Sequence, residues 1–307
     1  MNVALYTHSS CLEHDPGPGH PESPARLRAV LDALDDPGFA ALDRLEAPRA
    51  TREQLARVHQ AELIDRIFDN VPQHGWYRLD ADTVMSPASA EAALRATGAV
   101  CAAIDDAIAG QCRRAFCAVR PPGHHATPTT AMGFCLFNNV AVGAAQALAM
   151  HGLARVAIVD FDVHHGNGTQ DIFWNDPRVL YVSSHQSPLY PGSGARDETG
   201  AGNIVNVPLP PGAGSCEFRD AYERIVLPAL DSFAPELVMI SAGFDAHRLD
   251  PLANLKLETE DYGWITERLV GLAARHAHGR IVSSLEGGYS LTALRESTAS
   301  HVSALLG

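Results

Sequence analysis

Short apolar, β-branched runs recur along this chain between longer stretches of helical pattern, and that alternation constrains the fold more than any other feature. The runs Val3–Thr7, Ala115–Val119, Val156–Asp160, Val179–Ser183, Leu237–Ser241 and Arg280–Leu285 read as strands. Apolar residues at helical spacing mark helices at about 24–35, 52–69, 87–109, 138–151, 216–231, 259–277 and 291–305. Two helix starts carry their own signals. Ser86-Pro87 supplies an N-cap and a first-turn proline, and Thr51-Arg52-Glu53-Gln54 fits a capping box. Strands alternating with helices imply an α/β fold with a mainly parallel sheet covered on both faces. No repeat, low-complexity linker or charge block divides the chain, so residues 1–307 read as one domain.

In sheets of this kind functional groups gather at the carboxyl ends of the strands, and the apolar runs stop at polar clusters there. Arg120-Pro121-Pro122-Gly123-His124-His125 follows one run, Asp160–His165 the next and Ser183-Ser184-His185 another. Ala242-Gly243-Phe244-Asp245 and Glu286-Gly287-Gly288-Tyr289 follow two more. Alternate residues of an extended segment point the same way, which predicts Asp160, Asp162 and His164 on one face. Such a group suits a divalent cation such as zinc and is costly to bury without one. The competing reading, an N-capping acid before a Gly-Asn-Gly turn, accounts for a single Asp.

Adding Asp245 to Asp162 and His164 gives three protein ligands, which leaves a position for water or substrate. Asp160 then falls behind the metal, orienting a histidine or binding a monovalent ion. His124 and His125 suit a base toward water and an acid toward the leaving group, or are ligands themselves. Away from a metal, a His-His pair is more often a loop feature. Tyr289, after two glycines, is either a donor to an oxyanion or a residue closing a turn. Those groups reach metal-assisted hydrolysis of an amide or related carbonyl compound. Neither a Gly-x-Ser-x-Gly elbow nor a Walker-type loop is present.

The formal charge of −13 argues against a general affinity for nucleic acid or anionic membrane, while leaving room for a cationic substrate. The six cysteines form no Cys-x-x-Cys pair and read as free thiols in a reducing compartment. The start Met1-Asn2-Val3-Ala4-Leu5-Tyr6 shows no signal peptide, and no apolar run reaches membrane-spanning length. A cytoplasmic protein is expected, its oligomeric state open.

The motifs Arg-Pro-Pro-Gly-His-His, Gly-Phe-Cys-Leu-Phe-Asn-Asn, Asp-Phe-Asp-Val-His-His-Gly-Asn-Gly, Ser-Ala-Gly-Phe-Asp-Ala and Glu-Gly-Gly-Tyr together resemble the zinc-dependent histone deacetylase family. That group includes bacterial histone deacetylase-like amidohydrolases, acetylpolyamine amidohydrolases and acetoin-utilisation proteins. The resemblance runs from Gly19-His20-Pro21-Glu22 to Glu286-Gly287-Gly288-Tyr289. It implies a three-layer, arginase-like fold whose central, mainly parallel sheet has about eight strands flanked by helices.

By that resemblance Asp162, His164 and Asp245 bind zinc, His124 and His125 are the tandem histidines with His125 the general base, and Tyr289 polarises the acetyl carbonyl. Gly133 and Phe134 line an acyl-lysine tunnel opposite Tyr190. Asp160 pairs with His124 and, with Ser183, Ser184 and the backbone of Asp162 and His164, forms an inner potassium site. A second potassium site falls near Phe173, Asp176 and Val179, and Arg26 marks an acetate-release channel. Asn167 stands where some members carry an aspartate behind the second histidine. Asp80 and Asp82 are candidates for a rim carboxylate.

Polyamine-selective members use either an acidic gatekeeper, whose position here is Leu252 and offers a secondary ammonium group no charge, or an inserted dimerising loop, for which this chain is too short. N-acyl-lysine in a protein or peptide is therefore the favoured substrate. An acetylpolyamine is the alternative, and a silent acyl-lysine-binding protein is the alternative outside enzymes.

Overall fold

The computed structural model describes residues 3–307. At its centre is one eight-stranded sheet in which every neighbouring pair is parallel. The strands are β1 (Val3–Thr7), β2 (Leu42–Glu46), β5 (Arg114–Cys117), β6 (Val156–Asp160), β7 (Val179–Gln186), β8 (Ile204–Leu209), β9 (Leu237–Ala242) and β10 (Ile281–Leu285). Their spatial order is β2-β1-β5-β10-β9-β6-β7-β8. A two-residue antiparallel pair, β3 (Tyr77–Arg78) with β4 (Val84–Met85), stands apart.

The inner strands form because their residues are apolar, often β-branched and buried on both faces. Every residue of β6, β9 and β10 is buried, including Val156-Ala157-Ile158-Val159. Each Val, Ile or Leu fully buried there contributes roughly 1.5–3 kcal/mol. Helices cover the sheet, among them α2 (Pro24–Leu34), α5 (Ser89–Ala109), α6 (Asn139–His151), α10 (Thr259–His276) and α11 (Leu291–Leu306). Asn138 starts α6 by accepting the amide of Ala141 at 3.0 Å. Gly110 and Gly152 end α5 and α6 in the left-handed region that glycine tolerates.

Several elements differ from the sequence reading. Strands β2 and β8 have no counterpart in it. The helix expected over 52–69 is two, α3 (Arg52–Leu55) and α4 (Ala61–Asp69), because His59 turns inward between them to bond Thr127 and Asn138. The helix expected over 216–231 is α8 (Ser215–Ala221), a wider π turn over Tyr222–Val226, and α9 (Leu227–Phe233). The capping box forms, with Thr51 and Gln54 exchanging bonds. Ser86 does not cap α5; its hydroxyl takes the amide of Asp15 at 3.1 Å, and the helix starts three residues later. Cys11, Cys101, Cys112, Cys117 and Cys135 are buried free thiols, and Cys216 is exposed. No helix among the described residues is long and apolar enough to cross a membrane.

Strands β5, β10, β9 and β6 are consecutive across the middle of the sheet, so the loops that leave their carboxyl ends meet. The residues after those strands build the site.

Candidate active site

Strand β6 ends at Asp160, and residues 161–166 follow an irregular path. Strand alternation therefore stops applying where it was expected to align Asp160, Asp162 and His164. Asp160 is turned to another partner: its Oδ2 accepts from His124 Nδ1 at 3.0 Å and from the Tyr181 hydroxyl at 2.9 Å. Asp162 and His164 instead converge with Asp245, from the loop after β9, and their ligand atoms all lie within 4.8 Å of one another. Backbone donors fix both carboxylates. Val163 N–H reaches Asp245 Oδ1 at 2.8 Å, and Gly287 N–H reaches Asp162 Oδ2 at 2.8 Å.

Burial raises the proton affinity of Asp245, the charge of Asp162 raises it further, and its carboxyl is pushed up to about 7. Burial acts the same way on Asp162, but His124 and His164 hold it well below the usual carboxylate range. His164 is raised to about 10, since hydrogen bonds to Asp162 and Asp245 outweigh the burial that opposes its charge. Two buried carboxylates around one imidazole nitrogen thus demand positive charge, from a proton or from a metal. Oxygen and nitrogen donors this close, fixed by backbone bonds, fit a divalent metal ion.

His124 and His125 stand beside this cluster with ring centres 4.0 Å apart. The turn that carries them is tied to the loop after β10, where the buried Glu286 carboxylate accepts from Gly123 N–H at 2.6 Å and His124 N–H at 3.3 Å. Burial opposes charge on His124, yet Asp160 and Asp162 raise it to about 10. For His125, burial and the charges of His124 and His164 act together and push the imidazole well below its ordinary value. Its Nδ1 lies 2.8 Å from Asn167 Oδ1, an acceptor only, so the ring proton sits on Nδ1 and Nε2 carries the lone pair.

His124, His125 and His164 line a cavity of about 270 Å³. Gly133, Phe134, Leu189, Tyr190, Leu252 and Asp82 also contribute to its lining. The Tyr190 ring stands edge-on to His125 at 5.2 Å. Tyr289 lines the same cavity, its ring 5.9 Å from Phe134 and over the Arg26 guanidinium at 4.8 Å. A β-carbon on Gly133 would come 2.5 Å from His125 Cδ2, so only glycine lets the wall approach the histidine.

Beside Tyr289 lies a buried charged group in which the sequence reading gave a role to Arg26 alone. That guanidinium is fully buried and donates to the carbonyls of Gly288 and Glu286, both at 2.5 Å, and to Glu22 at 3.0 Å. Arg120 forms a second, bidentate pair with Glu22. Although burial opposes ionisation, Arg120 and His14 hold the Glu22 carboxyl well below the usual range. An arginine directly before Pro-Pro-Gly, ending an apolar strand, is the signal that could have exposed Arg120.

Asp160 and Ser183 are neighbours across β6 and β7. The Ser183 hydroxyl bonds His185 at 2.9 Å, whereas Ser184, on the opposite face, bonds the Tyr222 hydroxyl at 3.0 Å. At the position expected for a second cation, the carbonyls of Phe173, Asp176 and Val179 converge on the amide nitrogen of Asn203 at 2.9, 3.0 and 2.8 Å. Asn203 Oδ1 accepts from Ala201 N–H at 3.0 Å, which sets the amide orientation. Of the two rim candidates, Asp82 lines the cavity, while Asp80 turns back to the amides of Asp82 and Thr83.

The histone deacetylase domain, as a family model, matches residues 20–305. The chain is 41% identical to the histone deacetylase-like amidohydrolase of Pseudomonas aeruginosa, over 94% of this chain and 82% of that protein. It is 39% identical to a probable deacetylase of Archaeoglobus fulgidus, over 95% and 82% of the two chains. Histone deacetylase 14, chloroplastic, of Arabidopsis thaliana is 39% identical, over 99% and 76%. The crystal structure of the HDA15 HD domain is similar with a TM-score of 0.95 at 38% identity, covering 100% of this chain and 88% of that one. Sheet order, clustered site and sequence relatives lead to one assignment: this chain belongs to the histone deacetylase family of amidohydrolases.

Proposed function

We propose that this chain is a zinc-dependent amidohydrolase that removes acetyl or other acyl groups from lysine side chains of proteins or peptides, its 307 residues acting as one domain. The observation that carries the reading is the meeting of three components around one cavity. They are the Asp162–His164–Asp245 cluster, which reaches the cavity through His164, the adjacent His124 and His125, and Tyr289. Two carboxylate oxygens and one imidazole nitrogen are a donor set that zinc accepts, with a coordination position left over. Bound there, zinc would supply Lewis acidity to the acyl carbonyl and ease the deprotonation of water.

The chain's own residues divide the remaining work. His125, neutral and with its Nδ1–H given to Asn167, offers Nε2 as the base that takes a proton from the attacking water. His124 stays protonated between Asp160 and Asp162 and brings positive charge to the reacting carbonyl. Burial, and then the acidic neighbours Asp245 and Asp162, outweigh Arg26 and raise the Tyr289 phenol well above its usual value. It therefore keeps its proton and donates it as a hydrogen bond to the developing oxyanion.

Gly133, Phe134 and Tyr190 would flank the lysine methylenes, with Leu252 at the mouth. Arg26, behind Tyr289, would attract the released acetate. Asp160, Ser183, Ser184 and the backbone of Asp162 and His164 would hold potassium, a reading supported by the wholly buried Asp160 carboxylate beside Ser183.

Leu252 favours acyl-lysine over acetylpolyamine because it cannot neutralise a secondary ammonium group. The second reading draws support from the Asp82 carboxylate on the cavity wall. Zinc-loaded protein should release acetate from acetyl-lysine peptides much faster than from acetylputrescine, and chelation should abolish turnover until zinc is restored. The reverse preference would sink the lysine assignment. Zinc binding without turnover of either substrate would leave a silent binding protein.

A further inference from the structure

One wall of the cavity is built from backbone in a conformation its sequence does not favour. Met132–Cys135 form a tight turn closed by Cys135 N–H on the Met132 carbonyl at 2.9 Å. Its central residues, Gly133 at φ 56° and Phe134 at φ 68°, are both left-handed. Two left-handed central residues define a type I′ turn, whose second position usually holds glycine. Phenylalanine there sets its β-carbon against the following carbonyl oxygen. Such a conformation persists only where the surroundings impose it.

Two adjacent residues, Asp82 and Thr83, hold the backbone of this turn. The two central amides point away from the turn and find acceptors on adjacent residues. Gly133 N–H donates to the Asp82 carboxylate at 3.2 Å, and Phe134 N–H donates to the Thr83 hydroxyl oxygen at 3.1 Å. The Thr83 hydroxyl in turn donates to Asp82 Oδ1 at 2.9 Å. Asp80 fixes the presenting loop by accepting the amides of Asp82 and Thr83 at 2.8 and 3.1 Å. His20, 3.0 Å from the Asp82 carbonyl through Nε2, packs edge-on against the Phe134 ring at 4.8 Å. Phe134 lines the cavity; Thr83 is fully buried behind it. Filling space would need only the volume of valine, whereas holding this turn needs the hydroxyl.

We infer that Thr83 is a positioning residue for substrate binding: its hydroxyl holds the Gly133–Phe134 turn in the left-handed form that shapes one wall of the substrate channel. The inference rests on the acyl-lysine reading for its kinetic consequence. Phe134 would touch the unreactive methylenes, which it grips equally in the ground state and the transition state. Loss of the clamp should therefore appear in KM and spare kcat.

The test uses the full chain, zinc-loaded, with Thr83→Val and Thr83→Ser on an acetyl-lysine peptide. Thr83→Val should raise KM by about fivefold, with kcat within about twofold of the parent. Thr83→Ser, which restores the hydroxyl, should behave as the parent. Amide hydrogen exchange across 132–135 should accelerate about tenfold in Thr83→Val alone, and Thr83→Ala serves if the isostere does not fold. Unchanged exchange in the valine and alanine variants overturns the clamp, as does a serine variant no better than valine. Exchange needs no turnover, so a parent inactive on acetyl-lysine would sink the functional reading while this measurement still decides the clamp.

Discussion

Asn167 Oδ1 accepts the Nδ1–H of His125 at 2.8 Å, while the adjacent His124 gives its Nδ1–H to a carboxylate, Asp160, at 3.0 Å. An amide behind one ring and an acid behind the other separates two imidazoles that share a turn. Burial disfavours charge on both, but only His124 has the opposing carboxylates close enough to overcome it. What stands behind each ring thus sets the two imidazoles toward opposite charge states.

Replacing Asn167 with Asp should narrow that separation. A carboxylate at the same distance favours the protonated form of His125 and raises its pKa. His125 must be neutral to act as base, so the acidic limb of kcat/KM should move to higher pH. A pH-rate profile superimposable on the parent's would remove His125 as the base.

Tyr289→Phe removes one hydrogen-bond donor and leaves the ring packed over Arg26. Turnover should fall by a factor of ~100 or more, because that bond strengthens as charge develops on the carbonyl oxygen. Zinc content, measured by elemental analysis, should be unchanged. Activity close to the parent's would exclude Tyr289 as the oxyanion donor.

Leu252 is 37% exposed on the channel lining, where a longer acidic side chain can be accommodated. Leu252→Glu places a carboxylate within reach of a second ammonium group. The ratio of kcat/KM for acetylputrescine over acetyl-lysine peptide should rise about tenfold, the worth of one hydrogen bond to a charged group. Competition between the two substrates gives the ratio directly, and a constant ratio would show that discrimination lies elsewhere.

His59 predicts a pH-dependent stability unrelated to catalysis. Its Nδ1–H donates to the Thr127 carbonyl at 2.9 Å, and its Nε2 accepts the Asn138 amide at 2.9 Å, so a second proton would face a donor. Burial lowers its pKa to about 4, from an unfolded value near 6.5. The unfolded chain binds the extra proton first, so this contribution is complete above pH ~6.5 and is lost as pH falls toward ~4. Its full size is ~3 kcal/mol. Urea unfolding of the parent and His59→Gln between pH 7 and 4.5 should give a shallower pH dependence for the variant. Parallel curves would assign the acid sensitivity to other groups.

The inner strands and the polar residues that end them are legible in sequence because both faces of each strand are buried. An uninterrupted apolar run such as Val156-Ala157-Ile158-Val159 admits few other readings. Strand β2 offers no such pattern: of its residues Leu42 alone is buried, and Asp43, Arg44 and Glu46 are exposed charges. The break at His59 is also hidden, since helical spacing continues on both sides and the cause lies in Thr127 and Asn138. Asp162, His164 and Asp245 stand out by residue type and place, but the face that Asp160 takes depends on where the strand ends. Thr83 leaves no trace, because its role exists only through a turn 51 residues away.

The two edges of the sheet have a consequence for how copies of this chain meet. One edge, β2, exposes the charged side chains Asp43, Arg44 and Glu46, and the other, β8, contains Pro208, which has no amide to donate. An added strand would have to cover charge at one edge and forgo a hydrogen bond at the other. Self-association by extending the sheet is thereby discouraged at both ends, and the long parallel sheet is a terminated unit that does not template its own growth.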